Sequence, residues 1–105
     1  DIEDSTMSSL NITAYEWFDK ANGNSYFSAD IQADGKLIGQ LPMQYGYGDS
    51  YIDAANAYLD GLKFIDNPRH DNGNRESLWR YCQDNGIVLY TQKVENCLKR
   101  DLYKG

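Results

Sequence analysis

The stretch "YFSADIQADGKLIG", residues 26–39, constrains the fold of this chain more than any other. Phe27, Ala29 and Ile31 alternate with Ser28, Asp30 and Gln32, and a period of two puts one set on a core face and the other outside. Asp34–Gly35 follows at once. Both residues accept the positive φ that a two-residue hairpin turn requires, so the chain doubles back there. "KLIGQLPM" is then the return strand, with Pro42 marking its end or an edge position, because proline has no amide to give a ladder. Upstream, "NITAYEWFDK" from Asn11 is dense in β-branched and aromatic residues, and "ANGNS" separates it from the alternating segment with turn formers. Residues 11–43 therefore read as a three-stranded antiparallel meander. Residues 1–10, "DIEDSTMSSL", have no period and read as a flexible lead-in, leaving 11–105 as a single domain.

After the meander the period changes. In "SYIDAANAYLDGLKF", Tyr51, Ala55, Tyr58, Leu59 and Leu62 recur at helical spacing with Ile52 beside them, while Asp53, Asn56 and Asp60 fall on the other side. Ser50 with Asp53 fits the reciprocal S-x-x-D cap, and Asp49 is the competing capping residue. Residues 66–75 read as a polar loop. "ESLWRYCQDNG" predicts a short second helix that buries Leu78, Trp79 and Cys82 and stops at Asn85–Gly86. "IVLYTQKV" predicts a fourth strand and "ENCLKRDLYKG" a frayed final helix. The order β-β-β-α-α-β implies an α+β domain with its helices on one face of an antiparallel sheet.

Charge and residue types narrow the chemistry. With 16 acids against 10 bases the chain carries a formal net charge of −6, which disfavours a nucleic-acid binder that works by neutralising phosphates. An acidic surface can instead imitate phosphates. Asp49, Asp53, Asn56 and Asp60 recur along one side of the first helix over roughly 16 Å. The plainer reading of that stripe is the wet side of an amphipathic helix. Met7, followed by small residues, resembles a translation start; setting residues 1–6 aside removes three acids and brings the charge from −6 to −3. No apolar run of about 18 residues is present, so no membrane span is expected, and the N-terminus as given carries no signal-peptide pattern.

Cys82 and Cys97 fit neither a zinc ligand set nor a disulfide framework and read as reduced thiols, a single bridge being the alternative. His70 is the one histidine. Its neighbours Asp66, Arg69, Asp71, Arg75 and Glu76 match no calcium loop, and no serine or cysteine sits in a nucleophile motif. The expectation is a protein with no catalytic residues, no metal and no cofactor.

"YGYGDS", residues 45–50, poses the functional question directly. Glycines ahead of a helix N-terminus can cradle an anion, and a small-ligand or nucleotide site on the Gly46–Asp49 turn is one reading. The spacing is neither a P-loop nor a dinucleotide fingerprint, and Asp49 would repel a phosphate. A bend between strand and helix explains the glycines as well. Tyr45 and Tyr47 are then expected on opposite sides of the segment, one inward and one outward. The outward ring, with Asp49, Asp53, Asn56 and Asp60, forms the candidate partner-binding surface.

Taken together, "EWFDKANGNSYFSADI" and "LPMQYGYGDSYI" resemble a pattern in small uncharacterised proteins of tailed bacteriophages: W-F-D-K-x-N-G-N-S-Y-F, then P-x-Q-Y-G-Y-G-D and a helix. The likeness spans residues 16–52, with Met43 where that pattern has Phe. It implies no catalytic residue. It implies a phage accessory protein in the bacterial host cytoplasm that binds and inhibits a host or defence protein, a restriction or CRISPR effector being one such partner. A virion or assembly component is the other setting it allows.

Overall fold

The computed structural model describes residues 8–61 and 76–102. The meander forms as the alternation requires: β1 (Ser9–Asp19), β2 (Asn24–Ala33) and β3 (Lys36–Tyr45) pair antiparallel in chain order. Asp34 and Gly35 make the second turn at φ 51° and 81°. Asp34 also works as a clamp. Its Oδ1 accepts the Ser8 and Ser9 amides, each at 2.9 Å, and its own amide donates to the Ser9 carbonyl at 3.0 Å. That clamp starts β1 at Ser9 rather than Asn11, and Leu10, read from sequence as part of the lead-in, is fully buried. Residues 1–7 lie outside the described residues.

The sheet order is β3-β2-β1-β4, so β3 is an edge strand, and Pro42 sits exposed within it as an edge proline can. β4 (Val88–Val94) joins the free side of β1 and runs parallel to it, from Ser9 opposite Val88 to Tyr15 opposite Val94. The sheet is mixed where a wholly antiparallel one was expected. The reason is the crossover. The helical connection carries the chain back to the end of the sheet where β3 began, so β4 sets out in the direction of β3 and β1.

Both helices, α1 (Ser50–Gly61) and α2 (Leu78–Asp84), lie on one face. Leu10, Ile12 and Ala14 of β1, Phe27, Ala29 and Ile31 of β2 and Leu41 of β3 meet Tyr51, Ile52, Ala55 and Leu59 of α1 and Leu78 and Cys82 of α2. Tyr58 lies across Gly39, where a Cβ would come within 2.8 Å of its Oη. Leu62 falls outside the described residues. In α2, Leu78 and Cys82 are one turn apart and fill the buried stripe. Trp79, expected in the core, is one residue off that stripe and 53% exposed. Ser77 caps this helix, its Oγ accepting the Arg80 amide at 3.3 Å, and Asn85 closes it with Gly86 at φ 69°.

Of the frayed final helix expected over residues 95–105, the described residues form one 3-10 turn, Lys99–Leu102. Asp101 holds it, accepting the Leu98 amide at 2.9 Å and donating its own amide to the Leu98 carbonyl at 2.9 Å. Leu102 is buried where the turn packs on β1 and β2, outside the helix-side core. Among the described residues no helix is long and apolar enough to cross a membrane.

Candidate functional site

The loop "YGYGDS" joins β3 to α1, and its two glycines serve different ends. Gly46 is buried; a Cβ there would stand 2.6 Å from Phe27 Cε2, so glycine lets the backbone lie against that ring. Its amide donates to the Ser25 carbonyl at 3.1 Å. Gly48 has open space around it and instead takes φ 61°, which ordinary side chains resist. Its carbonyl accepts Lys93 Nζ of β4 at 3.3 Å. Lys93 is itself largely buried and pairs with Glu16 Oε2 at 3.6 Å and Glu95 Oε2 at 3.7 Å. The loop is therefore fastened to β2 at one point and to β4 at another.

The reciprocal cap predicted between Ser50 and Asp53 takes another form. Ser50 is already the first residue of α1, and its Oγ donates back to the Tyr47 carbonyl at 2.7 Å. Asp49 takes the cap position, its carbonyl accepting the Ile52 amide at 2.9 Å. The amides of Gly46, Ser50 and Ile52 are thus all spent inside the protein.

Tyr45 is 61% and Tyr47 66% exposed, so both rings face outward instead of one each way. In extended backbone alternate residues share a side. Gly46, between them, meets Phe27, and the two tyrosines point away from it. Tyr45 also ends a row. It is the register partner of Tyr26, which is the partner of Trp17. The Trp17 and Tyr26 rings stack at 5.6 Å between centroids, and Tyr26 meets Tyr45 edge-on at 5.9 Å. Lys99 Nζ caps the far end, 5.5 Å from the Trp17 ring. All three contacts fall within the range at which aromatic and cation–π pairs attract. The row lies on the sheet face opposite the helices.

The acidic candidates separate. Asp49 and Asp53 are exposed and Asp60 is half-buried. Asn56, expected among them on the surface, is 4% exposed, and its Nδ2 donates to the Glu76 carbonyl at 2.9 Å. It follows Ala55 on the buried side of α1 and ties that helix to the segment entering α2. The correction has a simple cause: α1 is covered by α2 as well as by the sheet, which widens its buried stripe. Sequence reasoning passed over Trp17 and Tyr26 as strand residues. The signal was there in outline, since pairing across "ANGNS" sets the two opposite each other. The polar cluster around His70 lies outside the described residues except for Glu76.

Cys82 and Cys97 are both free thiols. Burial pushes the Cys82 thiol up to about 11. Tyr15 is pushed up as well, by burial first and then by the charges of Asp30 and Cys97. Cys97 donates its thiol to the Val94 carbonyl at 3.3 Å. Among the described residues no group of three His, Cys, Asp or Glu side chains is placed to hold a metal ion.

Fold and site together define a small α+β domain whose mixed sheet is covered by helices on one face and carries an aromatic row on the other. No known protein family, curated protein or solved structure matches the chain.

Proposed function

We propose that this chain is a protein-binding module and that Tyr45 and Tyr47, with the row Trp17–Tyr26–Tyr45 behind them and Asp49 and Asp53 beside them, form its contact surface. The observation that carries the reading is the exposure of both loop tyrosines, 61% and 66%, on a loop held by Ser25, Lys93 and the Phe27 ring. Tyr45, braced edge-on by Tyr26, loses little freedom on binding, and large aromatic rings dominate interface energetics. The two exposed carboxylates favour a partner with basic groups opposite them. On the phage resemblance the partner is a host or defence protein and the consequence is inhibition, a restriction or CRISPR effector being one such target. The exposed carboxylate of Asp49 at the head of α1 weighs against the alternative of a nucleotide site on the Gly46–Asp49 turn, since it would repel a phosphate.

The test is affinity capture from nuclease-treated bacterial lysate, read by mass spectrometry, beside a Tyr45→Ser/Tyr47→Ser variant of matched folding. A host protein enriched by the parent chain should fall about tenfold or more with the variant, the loss of at least one interface anchor. Equal enrichment by both chains, or none by either, overturns the reading.

A further inference from the structure

Past Tyr15, among the described residues, β1 has no strand beside it on the β4 side. The last β1–β4 pair is Tyr15 with Val94, while β1 runs on to Asp19. The chain leaving β4 turns at Asn96, φ 63°, and the Cys97 amide returns to the Glu16 carbonyl at 3.0 Å. Between this loop and the open end of β1 lies a cleft of about 440 Å³ lined by Trp17, Phe18, Lys20, Asn96, Cys97 and Leu98. That volume falls in the range of roughly 300–1,000 Å³ typical of ligand sites. Phe18 is 50% and Leu98 54% exposed, an open apolar wall on each side.

Charge decides what such a cleft accepts. Lys20 lines it and Lys99 stands over the Trp17 ring, and among the described residues neither ammonium meets a carboxylate. The neighbouring acids keep their charge, but their oxygens are engaged elsewhere on the chain. Asp19 accepts the Ala21 amide at 3.1 Å and the Asn22 side chain at 2.8 Å, Glu95 pairs with Lys93 and Asp101 accepts the Leu98 amide. Beside one apolar cleft, a chain of net charge −6 thus presents two cations that, among the described residues, have no carboxylate partner.

We propose that this cleft binds an acidic peptide segment with an apolar anchor. A leucine or phenylalanine side chain sits against the exposed Phe18 and Leu98, and carboxylates on either side of it meet Lys20 and Lys99 beside Trp17. The cleft shares Trp17 with the aromatic row behind the loop tyrosines, but neither Tyr45 nor Tyr47 lines it.

A displayed library of random dodecapeptides, selected on the full chain, supplies the ligands. The enriched peptides are then titrated while the two indole N–H signals are followed by NMR. Selection should enrich sequences with Asp or Glu on both sides of Leu or Phe. Their binding should shift the Trp17 signal and leave that of Trp79. Affinity should fall about tenfold or more with Lys20→Glu/Lys99→Glu, both exposed positions, and should weaken with added salt. Trp79→Ala, at an exposed position of α2, should bind as the parent does. No enrichment, enrichment without acidic bias, a shift at Trp79 instead of Trp17, or undiminished binding by the lysine variant overturns the proposal.

Discussion

Alanine at Gly46 and alanine at Gly48 should both destabilise this protein, for different reasons that one set of variants separates. At Gly46 the obstacle is a neighbour. The new Cβ would stand 2.6 Å from Phe27 Cε2 and 3.1 Å from both Phe27 Cδ2 and Ser50 Cβ. Ordinary carbon contacts begin near 3.5 Å, so the overlap with the ring is about 1 Å. Phe27 is 3% exposed and cannot swing aside. Relief needs a strained rotamer or a backbone shift, at a cost of about 1–3 kcal/mol. At Gly48 a Cβ meets nothing within 4 Å, but φ is 61°. An ordinary residue loses about 1–2 kcal/mol in that conformation, and the stiffer unfolded chain returns about 0.4–1 kcal/mol. The net cost is roughly 1 kcal/mol, and asparagine, which tolerates the left-handed region, should recover much of it.

Urea denaturation reads both effects as shifts in the midpoint at constant slope. Phe27→Leu supplies the decisive control, since it removes the ring atom in the way. In that background Gly46→Ala should cost at least about 1 kcal/mol less than in the parent chain, a coupling between touching residues. The Gly48→Ala cost should be the same in both backgrounds. A Gly46→Ala variant within about 0.5 kcal/mol of the parent, or one equally destabilised with and without the Phe27 ring, refutes the steric account.

Two further outcomes follow from the core. Leu78→Ala should cost about 2–5 kcal/mol and Trp79→Ala less than about 0.5 kcal/mol; denaturation midpoints in the reverse order would contradict the placement of α2. In the folded protein a maleimide at pH 8 should label Cys97 and spare Cys82 until denaturant is added, as mass spectrometry of the labelled peptides would show. The folded chain also holds the Cys82 proton more tightly than the unfolded chain, about 11 against 9.0. Stability should therefore be full below about pH 9 and fall as pH rises toward 11, by on the order of 2–3 kcal/mol. The raised Tyr15 acts in the same direction, and Cys82→Ala should flatten the decline.

Most of the architecture was legible where its cause is local. Asp34–Gly35 forces a hairpin whatever surrounds it, because the turn asks only for residues that accept positive φ. The alternation through Phe27, Ala29 and Ile31 assigns faces because the strand period is a property of the backbone. The helical stripe from Tyr51 to Leu59 and the stop at Asn85–Gly86 are of the same kind.

The misplaced residues share a different cause. Trp79 looks like core in a list of apolar residues, but a short helix buries one stripe, and Leu78 and Cys82 occupy it. Asn56 looks like surface until α2 arrives beside α1 and offers the Glu76 carbonyl. The two loop tyrosines could have been paired on one side by the strand period alone. That this side is the open one depends on the Phe27 ring lying under Gly46.

By itself the sequence determined the turns, the strand and helix periods and the class of fold, since each follows from backbone geometry within a few residues. Only the tertiary structure decided the direction and place of β4, the burial of Asn56, the aromatic row from Trp17 to Tyr45 and the cleft beyond it. Each of these needs segments far apart in the chain to meet, and which of them meet is settled by the packing of the whole core.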